Sequence, residues 1–155
     1  MAGALLLAGN ACMHLGAGWT ILEMLDPSSA HACMDHPELM IRLANAEAMN
    51  GLPNINPNVI AIGPGLGISA LALSALEKTL NIPSIPLVID ADALNLIASS
   101  KALLKALRDR NQQFPNQTVL TPHPGEAAQL LQCSSTDIQS DRLGSIEKLV
   151  ELTGS

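Results

Sequence analysis

Three short, predominantly apolar runs constrain this chain more than any other feature. They are "VIAI" at 59–62, "PLVID" at 86–90 and "TVLT" at 118–121. None alternates apolar with polar residues, so none reads as a strand with one wet face. Runs of this kind belong to parallel strands buried on both faces. Each passes into a loop and then into a stretch with helical spacing: "ISALALSALEKTL" (68–80), "ADALNLIA", and the segment from Pro124. The repeat of strand, loop and helix predicts an α/β fold with a mostly parallel central sheet and helices on its faces.

The rest of the chain fits around that repeat. Residues 2–14 are small and apolar and predict a helix, which "LGAG" (15–18) stops. "WTILEML" (19–25) predicts a strand and "ELMIRL" (38–43) a short one, separated by a polar loop that carries His31 and His36. "NGLPNINPN" (50–58) is a turn-rich connector. A helix is expected over about 101–110, and a single helix over 135–154, stopped by Gly154. The length of 155 residues suits one domain, with no internal repeat or linker.

Composition excludes several functions. Apolar residues make up 48% and charged residues 14%, enough for a large core and too little charge for a disordered chain. Trp19 and Phe114 are the only aromatics, which removes a stacking platform for single-stranded nucleic acid. The net charge is -6 and no basic cluster interrupts it, so no nucleic-acid partner is expected. No apolar run has the roughly 18–20 residues of a membrane span. The apolar start lacks the basic residues of a signal peptide. Cys12, Cys33 and Cys133 are odd in number and far apart, so free thiols in a cytoplasmic protein are expected.

In open α/β sheets, ligands bind at the carboxyl ends of the strands. The three loops there carry the candidate site. Gly63-Pro64-Gly65-Leu66-Gly67 is either a tight turn that packs helix on strand or a loop whose backbone and following helix N–H groups take an anion. It is neither GxGxxG nor a P-loop. Asp90, Asp92 and Asn95 either hold Mg²⁺ waters or ligand hydroxyls, or else Asp92 caps the next helix while Asp90 satisfies loop N–H groups. In "TPHPGE", Thr121 can cap, Pro124 suits the first helical turn and Glu126 suits a helix N-terminus. His123, bracketed by Pro122 and Pro124, is either a packed loop residue or a pinned imidazole facing a ligand. His14, His31 and His36 lack metal-ligand spacing, and there is no GxSxG element.

Together, "AIGPGLG", "VIDADALNLIA" and "VLTPHPGEAAQLL", in this order, resemble the NAD(P)H-hydrate dehydratase family, whose fold is three-layered and ribokinase-like. "MAGALLLAGNACMHLGAGWTIL" is similar to the family's PGA-led helix and AGAG turn, and "HPELMIR" to the strand after it. The resemblance covers nearly the whole chain. It implies ADP- or ATP-dependent dehydration of the S epimer of NADH or NADPH hydrate, with Mg²⁺, in a cytoplasmic repair enzyme of the carbohydrate-kinase group. It also implies a homo-oligomer when full length and an epimerase, fused or separate. Carried over by motif, Ala4, Gly65 and His123 contact the hydrated dinucleotide. Gly63, Gly67, Asp90, Asp92, Asn95, Pro124 and Glu126 line the substrate or Mg²⁺ region. The sequence lacks the family's first strand, its Lys-Gly strand and its GGTGD motif, which carries the general-base Asp. The expectation is therefore a partial domain, inactive alone, with an apolar sheet edge exposed. Two other readings stand beside it: a ribokinase-like kinase for a vitamin precursor, and a non-catalytic nucleotide-binding module.

Overall fold

A computed structural model describes residues 2–27, 37–44 and 55–155. His31, His36, Cys33 and the connector's first residues, 50–54, lie outside the described residues. Helix α1 (Ala2–His14) leads to strands β1 (Ile21–Met24) and β2 (Met40–Leu43). Next come β3 (Ile60–Ile62), α2 (Ala70–Leu80), β4 (Leu87–Ile89), α3 (Ala91–Ser99) and α4 (Lys101–Gln113). The chain ends with β5 (Thr118–Leu120), α5 (Pro124–Leu131), α6 (Ser135–Ser140) and α7 (Arg142–Thr153).

The five strands form two parallel sheets among the described residues, β1-β2 and β3-β4-β5. In the larger sheet Ile62 pairs with Ile89, and Ile89 with Leu120. The Asp90 N–H donates to the Ile62 carbonyl at 3.1 Å and the Thr121 N–H to the Ile89 carbonyl at 3.2 Å. All three strands therefore end in one row, and the loops that follow start side by side.

The core under this sheet is aliphatic, as the near absence of aromatics requires. Leu76 and Leu80 of α2, Leu87 and Ile89 of β4, Leu94 and Ile97 of α3, and Leu103 and Leu107 of α4 are buried together. Helical spacing in α2 puts Ala72, Leu76, Thr79 and Leu80 on the buried face. A second core joins Leu22 and Met24 of β1 to Leu39, with Leu5, Leu6 and Met13 of α1 packed on it. Gly9 permits that approach, since a Cβ there would lie 2.7 Å from Leu22 Cδ2. Ala44 and Ala75, with Leu25 and Leu66, make a third small cluster beside α2. α1 ends at Gly16, in a left-handed conformation with φ of 99°, as "LGAG" predicts.

Two expectations are corrected. The helix expected over 135–154 is two helices. Asp141, at φ -142° and ψ 78°, closes α6 and opens α7, with its carboxylate accepting from the Gly144 N–H at 3.0 Å. A residue that caps a helix N-terminus leaves helical geometry, so it interrupts an otherwise continuous helical pattern. The helix expected over about 101–110 runs on to Gln113, and Arg110 within it faces inward, 3% exposed. Its guanidinium donates to the carbonyls of Leu80 (3.2 Å), Ile82 and Ile85 (2.6 Å), fastening the α2–β4 connection to α4.

Candidate functional site

The first loop turns at Gly63, whose carbonyl accepts from the Leu66 N–H at 3.0 Å. Gly63 has φ of 130°, and a Cβ built there would stand 1.7 Å from the Asp90 carbonyl oxygen. This glycine is required by close packing of the first loop on the second. Gly65 and Gly67 are also left-handed, at φ 69° and 74°. α2 then starts behind Ser69, whose hydroxyl accepts from the Ala72 N–H at 3.1 Å.

The second loop reverses the roles weighed from sequence. Asp90 is the N-cap of α3, and its side chain makes no capping bond. Asp92, in the first turn, sends its carboxylate back to the first loop, where Oδ2 accepts from the Gly67 N–H at 2.8 Å. Between them Ala91 holds a left-handed backbone at φ 48°, a conformation that side chains other than glycine adopt at a cost. A carboxylate thus occupies the Gly67 N–H and a hydroxyl the Ala72 N–H, so neither donor is open to a phosphate. Asn95 lies one turn further along α3, half-buried.

The third loop answers why a histidine sits between two prolines. His123, not Thr121, is the N-cap of α5. Thr121 lies too far before the helix, and its N–H is committed to the β4 carbonyl described above. The imidazole Nδ1 of His123 accepts from the Gly125 N–H at 2.9 Å and the Glu126 N–H at 3.3 Å. Glu126 completes a capping box, with Oε2 accepting from the His123 N–H at 2.8 Å. Its other oxygen, Oε1, lies 3.2 Å from His123 Nε2. Pro124 fills the first helical position, where no N–H donor is needed.

An imidazole whose Nδ1 accepts two N–H groups carries its proton on Nε2. The His123 side chain is 68% exposed while that of Glu126 is 6% exposed. Nδ1 therefore serves the helix, while Nε2, which carries the ring N–H on this exposed side chain, lies beside Glu126 Oε1. Gly125 was not singled out from sequence, yet a Cβ there would lie 2.8 Å from His123 Cε1. Its place directly after Pro124 was the available signal.

The strand register places these three loops next to one another, and α3 packs against α5 behind them. Ala4 is half-buried on α1, the helix that packs against β1. A cavity of about 720 Å³ lies elsewhere, lined in part by Arg108, Cys133, Asp137, Asp141 and Lys148, and contains none of the loop residues. Among the described residues no three His, Cys, Asp or Glu side chains are grouped to hold a cation.

A parallel α/β domain with its polar groups gathered on three adjacent strand ends fits the ribokinase-like fold. Solved structures agree. The ADP/ATP-dependent NAD(P)H-hydrate dehydratase of Bacillus subtilis superposes with a TM-score of 0.73 at 24% identity, covering 100% of this chain and 53% of that one. The hypothetic protein SMU.573 of Streptococcus mutans gives a TM-score of 0.76 at 24% identity, over 96% of this chain and 50% of that one. The carbohydrate-kinase family model described as NAD(P)H-hydrate dehydratase matches residues 1–155. The bifunctional NAD(P)H-hydrate repair enzyme Nnr of Escherichia coli is 36% identical over 99% of this chain and 27% of its own length. The ADP-dependent (S)-NAD(P)H-hydrate dehydratase of Neisseria meningitidis is 32% identical over 100% of this chain and 50% of its own length. The chain belongs to the NAD(P)H-hydrate dehydratase family. It spans half or less of the length of these relatives.

Proposed function

We propose that the three loops bind the S epimer of NADH hydrate or NADPH hydrate, for ADP- or ATP-dependent dehydration back to the dihydronicotinamide. The observation that carries this reading is the division of labour within His123. Nδ1 is used by the α5 N-terminus, while the side chain as a whole is exposed and its Nε2–H, beside Glu126 Oε1, would turn to a ligand oxygen in place of that carboxylate. Gly65, left-handed and without a side chain, lets backbone approach the same ligand closely. Ala4 supplies a further contact from α1. Gly63 and Asp92 hold the first two loops together, while Gly67, Asp90, Asn95 and Pro124 line the region.

The nucleotide supplies the phosphoryl group that turns the ring hydroxyl into a leaving group, and Mg²⁺ accompanies its phosphates. The role assigned to these residues is recognition and orientation of the substrate. Charge stabilisation of phosphoryl transfer falls to groups outside the three loops. The resemblance extends the proposal to a homo-oligomer, and to an NAD(P)H-hydrate epimerase, fused or separate, that supplies the S epimer. Cys12 and Cys133, both free and exposed, suit a cytoplasmic location. Among the described residues no helix is long and apolar enough to cross a membrane.

The test separates the two nitrogens of His123. Asparagine is a strong N-cap, so His123→Asn keeps the start of α5 and removes the Nε2–H. Calorimetry with NADPH hydrate should show binding weakened about tenfold, the worth of roughly one hydrogen bond, at nearly unchanged thermal stability. Equal affinity in the two proteins overturns the reading.

A further inference from the structure

Among the caps of α2 to α7, one side chain does no capping. Ser69, Ser100, His123, Ser134 and Asp141 each accept an N–H of the first helical turn. Asp90, at the head of α3, does not. Aspartate is among the strongest capping residues, so residue type does not explain the exception. The Ala93 N–H, at the third helical position where a capping carboxylate commonly bonds, is taken by the backbone carbonyl of Asp90 at 3.1 Å. No described group donates to the Asp90 carboxylate instead. The backbone around it is firmly held. The Asp90 N–H bonds the Ile62 carbonyl at 3.1 Å, its own carbonyl packs on Gly63, and Ala91 after it is left-handed at φ 48°. A residue other than glycine keeps such a backbone only where its surroundings enforce it, and such residues gather at ligand sites. The strand register puts Asp90 at the centre of the row, between Gly63 and Thr121.

We infer that Asp90 is a substrate contact, its carboxylate accepting a hydroxyl hydrogen of the hydrated dinucleotide. This rests on the substrate reading given above. It raises Asp90 from a lining group to a direct contact and leaves Asp92 the structural role of holding Gly67. An ionised carboxylate accepts and never donates, so hydroxyls are the groups it would select. The substrate carries them on its riboses and on the hydrated nicotinamide ring. No capping bond has to break when the ligand arrives, and the pinned backbone fixes the acceptor's place beforehand, which lowers the entropy lost on binding.

Calorimetry without divalent cations tests it, so that a magnesium effect does not enter. Asp90→Ala should raise the Kd for NADPH hydrate about ten- to a hundredfold, the range of a hydrogen bond to a charged group. Its melting temperature should stay within about 3 °C of native, because no capping bond is lost. Asp90→Asn keeps the shape and one acceptor oxygen, and should lose under about tenfold. NADPH, which lacks the ring hydroxyl, is the second probe. A loss confined to the hydrate places the accepted hydroxyl on the ring, and an equal loss for both ligands places it on a ribose. Native affinity of Asp90→Ala for both ligands overturns the inference, and a lowered melting temperature beside it makes Asp90 structural. If His123→Asn weakens binding and Asp90→Ala does not, the assignment of Asp90 fails and the substrate reading survives. If His123→Asn binds with native affinity, it is the substrate reading that fails, and Asp90 stands or falls by its own Kd.

Discussion

Asp92 Oδ2 accepts the Gly67 N–H at 2.8 Å across 25 positions of sequence, tying the loop after β4 to the loop after β3. The bond is charge-assisted and half-buried, a class that contributes about 1.5–3 kcal/mol. Asp92→Ala should therefore lower unfolding stability by about 2 kcal/mol, and Asp92→Asn, which keeps an acceptor, by under about 1 kcal/mol. Denaturant titration measures both. Exchange of the Gly67 amide should accelerate in the Ala variant ahead of global unfolding.

Gly63 admits no side chain. The atom a Cβ would strike is the backbone oxygen of Asp90, at 1.7 Å, and that backbone is fixed by the β3–β4 ladder. φ of 130° adds strain for any L residue. Gly63→Ala should destabilise by more than about 4 kcal/mol, seen as loss of cooperative unfolding by circular dichroism. A well-folded Gly63→Ala protein would contradict the described packing of the two loops.

Arg110 donates to three carbonyls from a buried position. Arg110→Ala leaves Leu80, Ile82 and Ile85 without this donor and should cost about 3 kcal/mol. Arg110→Lys should restore less than half of the loss, because a single ammonium centre cannot reproduce the spread of the guanidinium fork. Chemical denaturation of the pair decides it.

Two carboxyl groups shift stability with pH in opposite senses. Burial pushes the pKa of Glu23 above its ordinary 4.5, partly opposed by the charge of Arg42, its register partner across β1–β2. The stabilising contribution of its protonated form is complete below 4.5 and is lost as pH rises through the raised value. Glu23→Gln should then melt about 1–3 °C above the native chain at pH 7, with the difference closing near pH 4. Asp137 behaves conversely. Hydrogen bonds from Ser134 hold its pKa below 3.8, so its contribution is present above 3.8 and fades as pH falls through the lowered value. The Ser134 amide resonance should report that loss as fraying of α6 in acid.

The three strands of the larger sheet were legible because their residues are mostly apolar and their runs lead into glycine, aspartate or proline. Ile62, Ile89 and Leu120 therefore stand where the sequence places them. The family was legible from the loop motifs in order. Contacts between loops were not, because helical spacing and capping preferences are local rules. They could not show that Asp92 reaches back to Gly67, or that Asp90 rather than Asp92 begins α3. Thr121 fitted the usual capping preference, whereas His123 caps through an imidazole nitrogen. The break at Asp141 was hidden because residues on both sides of it keep helical spacing.

The shared row at which β3, β4 and β5 stop has a consequence for anyone reshaping this domain. Gly63 is shaped by Asp90 and Gly67 is held by Asp92, so the first two loops are one composite part made from distant stretches of chain. Grafting either from a relative transplants half of each contact and orphans the other half. A one-residue insertion in β4 would reverse which side chains face the core and carry Asp90 and Asp92 past their partners. Loop exchange should succeed here only when both segments travel together.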